Sequence, residues 1–350
     1  MGDAPVVIRR WASGRPRGVP HVEIACDESG FAGGNLVGGH APVLAHASVR
    51  MDGETAASVM AGLRARMDGG PRGELKAGAL LRRPALAHSL LAADGPLAGA
   101  ARVHLVDTVY FALARLADLL APGALVMATL GTDLPRRTSA ARILHARGPA
   151  IYGPERWRRF LTTASDLMRT NSRWTAPEPV APFAAALDDL LATPGEVADV
   201  LRPMRAQLPA AAAARAALKA DPKLPTLLEP VVPALARAVT MWAPADGTLS
   251  VVHDDQSAVT PERIATIAAG TGLVEVTIVD SRTDPRVQVA DLLAGIARRV
   301  ATDHLAAVTL AEAGTAQPDE TLTALLRPLI DPGSTWADSG SWAALSPASR

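Results

Sequence analysis

The chain has a single cysteine, Cys26, in 350 residues, which excludes an internal disulfide and fits a reducing compartment. Lysine is scarce too: only Lys76, Lys219 and Lys223 occur, and arginine makes up the rest of the 35 basic residues. The 35 Asp and Glu cancel them, so no global positive field marks the chain as a nucleic-acid binder; any such contact must come from a local patch. No run of 18 apolar residues occurs, because Arg and Pro interrupt the alanine-rich stretches, and no membrane span is expected. Residues 1–20 contain arginines and prolines without an apolar centre and do not read as a signal peptide. A cytoplasmic location is the resulting expectation. Also missing are a Gly-x-Ser-x-Gly nucleophile elbow around Ser29, a Gly-Lys-Ser/Thr phosphate loop among the glycines after position 30, and a Cys/His zinc spacing.

What is present is a globular composition, 49% apolar and 20% charged, long enough for one large core or two modest ones. The bias toward Ala, Arg and Pro has the look of GC-rich coding, which weakens alanine as a helix signal. The stretch His21–Gly30 alternates Val22, Ile24 and Cys26 against His21, Glu23 and Asp27, the period-two pattern of a strand, and ends on Asp27-Glu28 before Ser29-Gly30 break it. An acid at the C-terminal end of a strand stands at the sheet rim, where α/β folds bind ligands and metals.

Further strands are predicted over 42–50, 101–107, 248–257 and 273–280, and helices over 54–67, 286–307 and from Thr260-Pro261-Glu262 to about Ala269. Between 110 and 244 the pattern is helical, with amphipathic stretches at 110–120 and 157–168 and proline-rich linkers at 173–182 and 222–233. The division is therefore an N-terminal arm (1–20), a first core part (21–109), a helical insertion (110–244), a second core part (245–310) and a C-terminal tail (311–350).

Three acidic features stand apart. They are Asp27-Glu28 after one strand, Asp254-Asp255 after another, and Asp291, which shares a helix face with Gln288 and Gly295 at i+3 and i+7 spacing beside an apolar face. An acid among alanine, glycine and leucine is costly unless a cation pairs with it. Carboxylates from separate strands and a helix suit Mg²⁺ or Mn²⁺, and two such ions ~4 Å apart activate water and stabilise the leaving oxygen of a phosphodiester.

Asp27-Glu-Ser-Gly30, Glu74-Leu-Lys76, His253-Asp-Asp255, Asp280-Ser281 and Gln288-Val-Ala-Asp291-Leu resemble the landmarks of the bacterial family catalogued as domain of unknown function 3800, itself similar to ribonuclease-H-like folds. The resemblance covers roughly residues 21–110 and 245–305. It implies an α/β fold, a ribonuclease-H-like mixed sheet flanked by helices, here with a large helical insertion. It also implies a metal site of Asp27, Asp254 and Asp291, with Glu74 as the acid between them. Asp107, also at a strand end, is an alternative for the second position, and Asp255 and Glu28 are further or substitute ligands.

Lys76, rare in kind and two residues from Glu74, is a candidate to contact a phosphate or the attacking water. His253 and Cys26 read as core residues, and so do Trp157, Phe160 and Trp174, whose alternative is base stacking. Of the arginine pairs, Arg298-Arg299 fits a phosphate-binding rim, while Arg82-Arg83 reads as solvated surface. The function expected is a nuclease or phosphodiesterase hydrolysing RNA or DNA with carboxylate-bound Mg²⁺ or Mn²⁺. The alternative is an inactive ribonuclease-H-like scaffold that binds nucleic acid or a partner protein, and a homo-oligomer or partner contact through insertion or tail is possible in either case.

Overall fold

Alternating and β-branched stretches far apart in the chain come together as neighbouring strands. The computed structural model describes residues 6–30, 41–67, 75–121, 139–170, 178–220, 227–309 and 318–347. Six strands form one mixed sheet: β1 (Val7–Ala12), β2 (His21–Ser29), β3 (Val43–Val49), β4 (Ala101–Asp107), β5 (Thr248–Asp254) and β6 (Leu273–Val279). Their order is β1-β6-β5-β2-β3-β4. β2, β5 and β6 run parallel, whereas β3 is antiparallel to both β2 and β4, and β1 is antiparallel to β6. Because β3 reverses twice, β2, β4, β5 and β6 all end on the same rim.

Helices cover both faces, so the sheet strands are apolar on both sides rather than simply alternating. On one face Ala25, Ala45, Ala47 and Val252 pack under α1 (Gly53–Ala65), α2 (Ala77–Leu81), α3 (Pro84–Leu91) and the long α11 (Pro285–Thr309), with α12 (Glu320–Leu326) and α13 (Ser339–Leu345) beside them. On the other face Ile24, Cys26, Leu44 and Val251 pack under α4 (Thr108–Leu119), α9 (Val231–Trp242) and α10 (Pro261–Ala269). The segment expected as a helical insertion forms α5 (Ser139–Met168, broken at Gly153), α6 (Val180–Leu191), α7 (Glu196–Ala206) and α8 (Leu208–Ala220) between α4 and α9. It shares this second core: Trp157 stacks on Phe160, and Phe160 meets Phe183 at a tilt, all three as buried side chains. Trp174 lies outside the described residues.

One stretch differs from the sequence reading, and a second settles it. Residues 7–12, expected to be a loose arm, form edge strand β1, held by pairing with β6 and by Arg9–Asp255 and Arg10–Glu275 ion pairs of 2.8 and 2.7 Å. The C-terminal stretch, read as a tail or a docking segment, takes the docked form. Asp331 N–H donates to Val103 O, Thr335 N–H to Leu105 O and Asp107 N–H to Thr335 O, so residues 330–335 cover the outer edge of β4. Both outcomes have one cause: a strand's hydrogen bonds go to partners hundreds of residues away, which local periodicity does not register. Thr260 caps α10 as read, and among the described residues no helix is long and apolar enough to cross a membrane.

Candidate metal centre at the sheet rim

β2 and β5 pair as far as Cys26 opposite His253, and Asp27 and Asp254 follow one residue later on each strand. By strand alternation both stand on the face of Ala25 and Val252, the side that α11 covers. α11 lies across β2 and β3 with Val287, Ala290, Leu293 and Ala294 buried, and this sets Asp291 over the rim. Gly295, one turn on, is where α11 meets α2. A Cβ there would lie 2.4 Å from the Ala77 Cβ, so only glycine admits this approach. The approach brings Lys76, just before α2, to the rim, with Nζ 3.1 Å from Asp291 Oδ2.

Asp27 is buried, 5% exposed, and its Oδ1 accepts the Glu28 N–H at 2.7 Å. Burial pushes its carboxyl well above the ordinary carboxylate range, and the negative charges of Glu28, Asp291 and Asp254 push it further, against that backbone hydrogen bond. Asp254 and Asp291 thus stand near enough for their charges to act on Asp27. Asp254 Oδ1 accepts the Ser281 N–H at 3.1 Å, which fixes its orientation. The donor set is carboxylate oxygen, the chemistry that hard divalent cations prefer. Among the described residues, no group of three or more His, Cys, Asp or Glu side chains closes to metal-holding distance. Glu74, proposed from sequence as the helical acid, lies outside the described residues.

The other candidates are placed elsewhere. Asp255 is exposed and paired with Arg9 of β1, toward the far edge of the sheet. Asp107 caps α4, its Oδ1 accepting from Val109 and Tyr110 N–H at 3.0 Å and its Oδ2 lying 2.8 Å from His145 Nε2. This makes it a structural acid rather than the second ligand. Glu28 belongs to the opposite face: Gln256 Nε2 donates to its Oε1, and buried Oε2, without a hydrogen-bond partner, lies 4.0 Å from His253 Nε2. Arg286 and Arg298, the basic residues nearest Asp291 on its own helix, are engaged elsewhere. Arg286 pairs with Glu23 and Asp284, and Arg298 Nε donates to Ser29 Oγ at 3.0 Å. Gln288 is structural, accepting from Arg64 Nη2 at 2.7 Å and donating to Arg282 O at 3.0 Å.

Sequence reasoning missed a second polar group beneath the rim on the α9 face. His253 and His46, both buried, bring their Nε2 atoms to 3.4 Å, and burial, with the charges of His253 and His104, holds His46 well below its ordinary pKa. Glu229, just before α9, is pushed up to about 8 by burial, with the charge of Glu28 adding to it. The only local signal was His46 sharing the parity of Leu44; nothing near Glu229 marks it. Cys26 is buried and its thiol pushed up by burial and by Asp27 and Glu28, so it is an inert core residue as read. Comparison of the chain with protein-family models, with curated proteins and with solved structures gave no match.

Proposed function

We propose that this chain is a metal-dependent phosphodiesterase, a nuclease of ribonuclease-H-like architecture related to the domain-of-unknown-function-3800 family. The observation that carries the reading is the convergence of Asp27, Asp254 and Asp291, 227 and 37 residues apart in sequence, on one rim where their charges act on a buried carboxyl. The sheet supports it as well: β2 is central, with antiparallel β3 on one side and parallel β5 on the other, Asp27 lies two residues before the end of β2 and Asp254 ends β5.

In this reading Asp27, Asp254 and Asp291, with Glu74, hold Mg²⁺ or Mn²⁺. When bound, such an ion lowers the pKa of water and stabilises charge on a phosphodiester. The chain's own contribution is orientation: the Glu28 and Ser281 N–H groups fix one oxygen each of Asp27 and Asp254. Lys76 fixes Asp291 and brings an ammonium, three-fifths exposed, to meet a phosphate oxygen of substrate. Water's oxygen forms the new bond to phosphorus, one ester P–O bond breaks, and the leaving oxygen takes up a proton.

A second reading, an inactive scaffold that binds nucleic acid or a protein partner, is favoured by the Lys76–Asp291 pair, which already neutralises one acid of the set. Incubating the full chain with labelled single- and double-stranded RNA and DNA in Mg²⁺ or Mn²⁺ decides between them. Cleavage is expected, and loss of cleavage in Asp27→Asn and Asp291→Asn with melting temperatures equal to or above the parent's. Cleavage by both variants at the parental rate overturns the reading.

A further inference from the structure

A cavity of about 420 Å³ opens between α2, α3, α11 and α12, along the same helix pair that brings Lys76 to Asp291. Gly78, two residues after Lys76, lines one end, and Arg299 lines the cavity eight residues beyond Asp291, about 12 Å along the axis of α11. Its volume lies within the range of small-molecule pockets, roughly 300–1,000 Å³. Leu81, Val300 and Leu322 give it an apolar wall.

The cavity's two arginines and two aspartates cancel in formal charge, yet they are not all paired with one another. Asp303 is taken by Arg299, with Nε 2.8 Å from Oδ2, and Asp319 caps α12 by accepting the Leu322 N–H at 2.9 Å. Arg82 has no acid partner among the described residues, and its Nη1 folds back over Gly78, 3.9 Å from where a Cβ would stand. An apolar wall beside an uncommitted guanidinium calls for a ligand with a flat apolar body and an anionic end. Arginine's planar fork suits a phosphate, and its face suits a base.

We propose that this cavity is a subsite for one nucleotide of the strand on which the rim acids act, its phosphate held by Arg82 and its base and sugar against Leu81, Val300 and Leu322. The assignment of the strand rests on the nuclease reading, whereas nucleotide binding is measurable without it. Arg82-Arg83, read from sequence as solvated surface, would thus include one ligand-binding residue.

The test is calorimetric titration of the full chain, in EDTA, with uridine 5′-monophosphate, uridine and inorganic phosphate, followed by oligonucleotide cleavage in Mn²⁺. The monophosphate is expected to bind more tightly than either part alone. Arg82→Ala weakens it about tenfold or more, as loss of a charged hydrogen bond does. Gly78→Val, whose Cβ meets only the Arg82 side chain and which improves helix propensity, crowds the Arg82 end of the cavity without threatening the fold and abolishes binding. Asp27→Asn leaves binding unchanged. Absence of binding, binding that survives Gly78→Val, or phosphate binding as tightly as the monophosphate overturns the proposal. Cleavage with an unchanged KM in Gly78→Val and Arg82→Ala sinks the subsite and leaves the nuclease standing; nucleotide binding without any cleavage does the reverse.

Discussion

Lys76 and Asp291 are joined across 215 residues at 3.1 Å, and the contact depends on a third position, Gly295, where α11 has no side chain to hold α2 away. Gly295→Ala puts a Cβ into the Ala77 Cβ, and neither atom can swing aside. α2 is expected to shift outward, with a stability loss of about 1–3 kcal/mol and a parallel loss of metal-dependent cleavage. Lys76→Ala tests the same pair from the exposed side. Surface ion pairs contribute about 0–1 kcal/mol, so its melting temperature stays near parental while cleavage falls. Thermal melts and cleavage rates on both variants check this; a Gly295→Ala protein indistinguishable from the parent refutes it.

The raised carboxyl of Asp27 has a pH signature. Above the ordinary carboxylate pKa the unfolded chain has released its proton while the folded chain retains it, so the folded state loses stability as pH rises toward the raised value. Asp27→Asn removes this slope, and its advantage over the parent grows from about pH 4 upward in EDTA. Mn²⁺ then raises the melting temperature of the parent and not of the variant. A variant less stable than the parent at pH 7 without metal contradicts the electrostatic account.

Glu229 offers the same test away from the rim. Its Oε1 accepts the Val231 N–H at 3.0 Å, an interaction the glutamine amide oxygen keeps. Raised from 4.5 to about 8 by burial, it makes the fold less stable as pH climbs between those values. Glu229→Gln should stabilise the protein little at pH 5 and more at pH 8, by an upper limit of roughly 4–5 kcal/mol. A gain that shrinks with pH has the wrong sign.

Asp331 behaves oppositely. Fully buried, it accepts from Arg237 Nε and Nη2, from Gly333 N–H and lies 2.8 Å from His104 Nδ1. These partners outweigh burial and hold its carboxyl far below the usual range. Its contribution is present above the unfolded-state pKa and disappears as pH falls through the folded one. Asp331→Ala should cost about 1–3 kcal/mol at pH 7, because it removes the carboxylate that the buried His104 ring and the half-buried Arg237 contact. The Arg237→Ala/Asp331→Ala double variant should lose less than the two single losses added together. Additive losses in chemical denaturation rule out the coupling.

Much of the frame was legible locally. Residues 101–107 read as a strand and form one, the strand read over 248–257 forms over 248–254, and Thr260-Pro261-Glu262 starts α10 as its cap chemistry demands. What escaped were contacts whose second partner is remote. Nothing in Val7–Ala12 announces β6, and nothing in residues 330–335 announces the edge of β4. Asp255 and Asp107 have the same local credentials as Asp27, a carboxylate at the end of a strand. Arg9, arriving from another element, makes Asp255 structural, and the Val109 and Tyr110 N–H groups together with His145 do the same for Asp107.

The sequence by itself determined that Asp27 and Asp254 stand among the last residues of their strands and that Asp291 shares a helix face with Gly295. Periods of two and 3.6 residues are local properties of the backbone. Tertiary structure alone decided which carboxylates share one rim. The parallel register of β2 with β5 sets Asp27 beside Asp254, the path of α11 over β2 sets Asp291 above them, and the close approach at Gly295 delivers Lys76. Each depends on the packing of segments tens to hundreds of residues apart, and a burial energy shared among so many side chains leaves no mark on any short stretch of sequence.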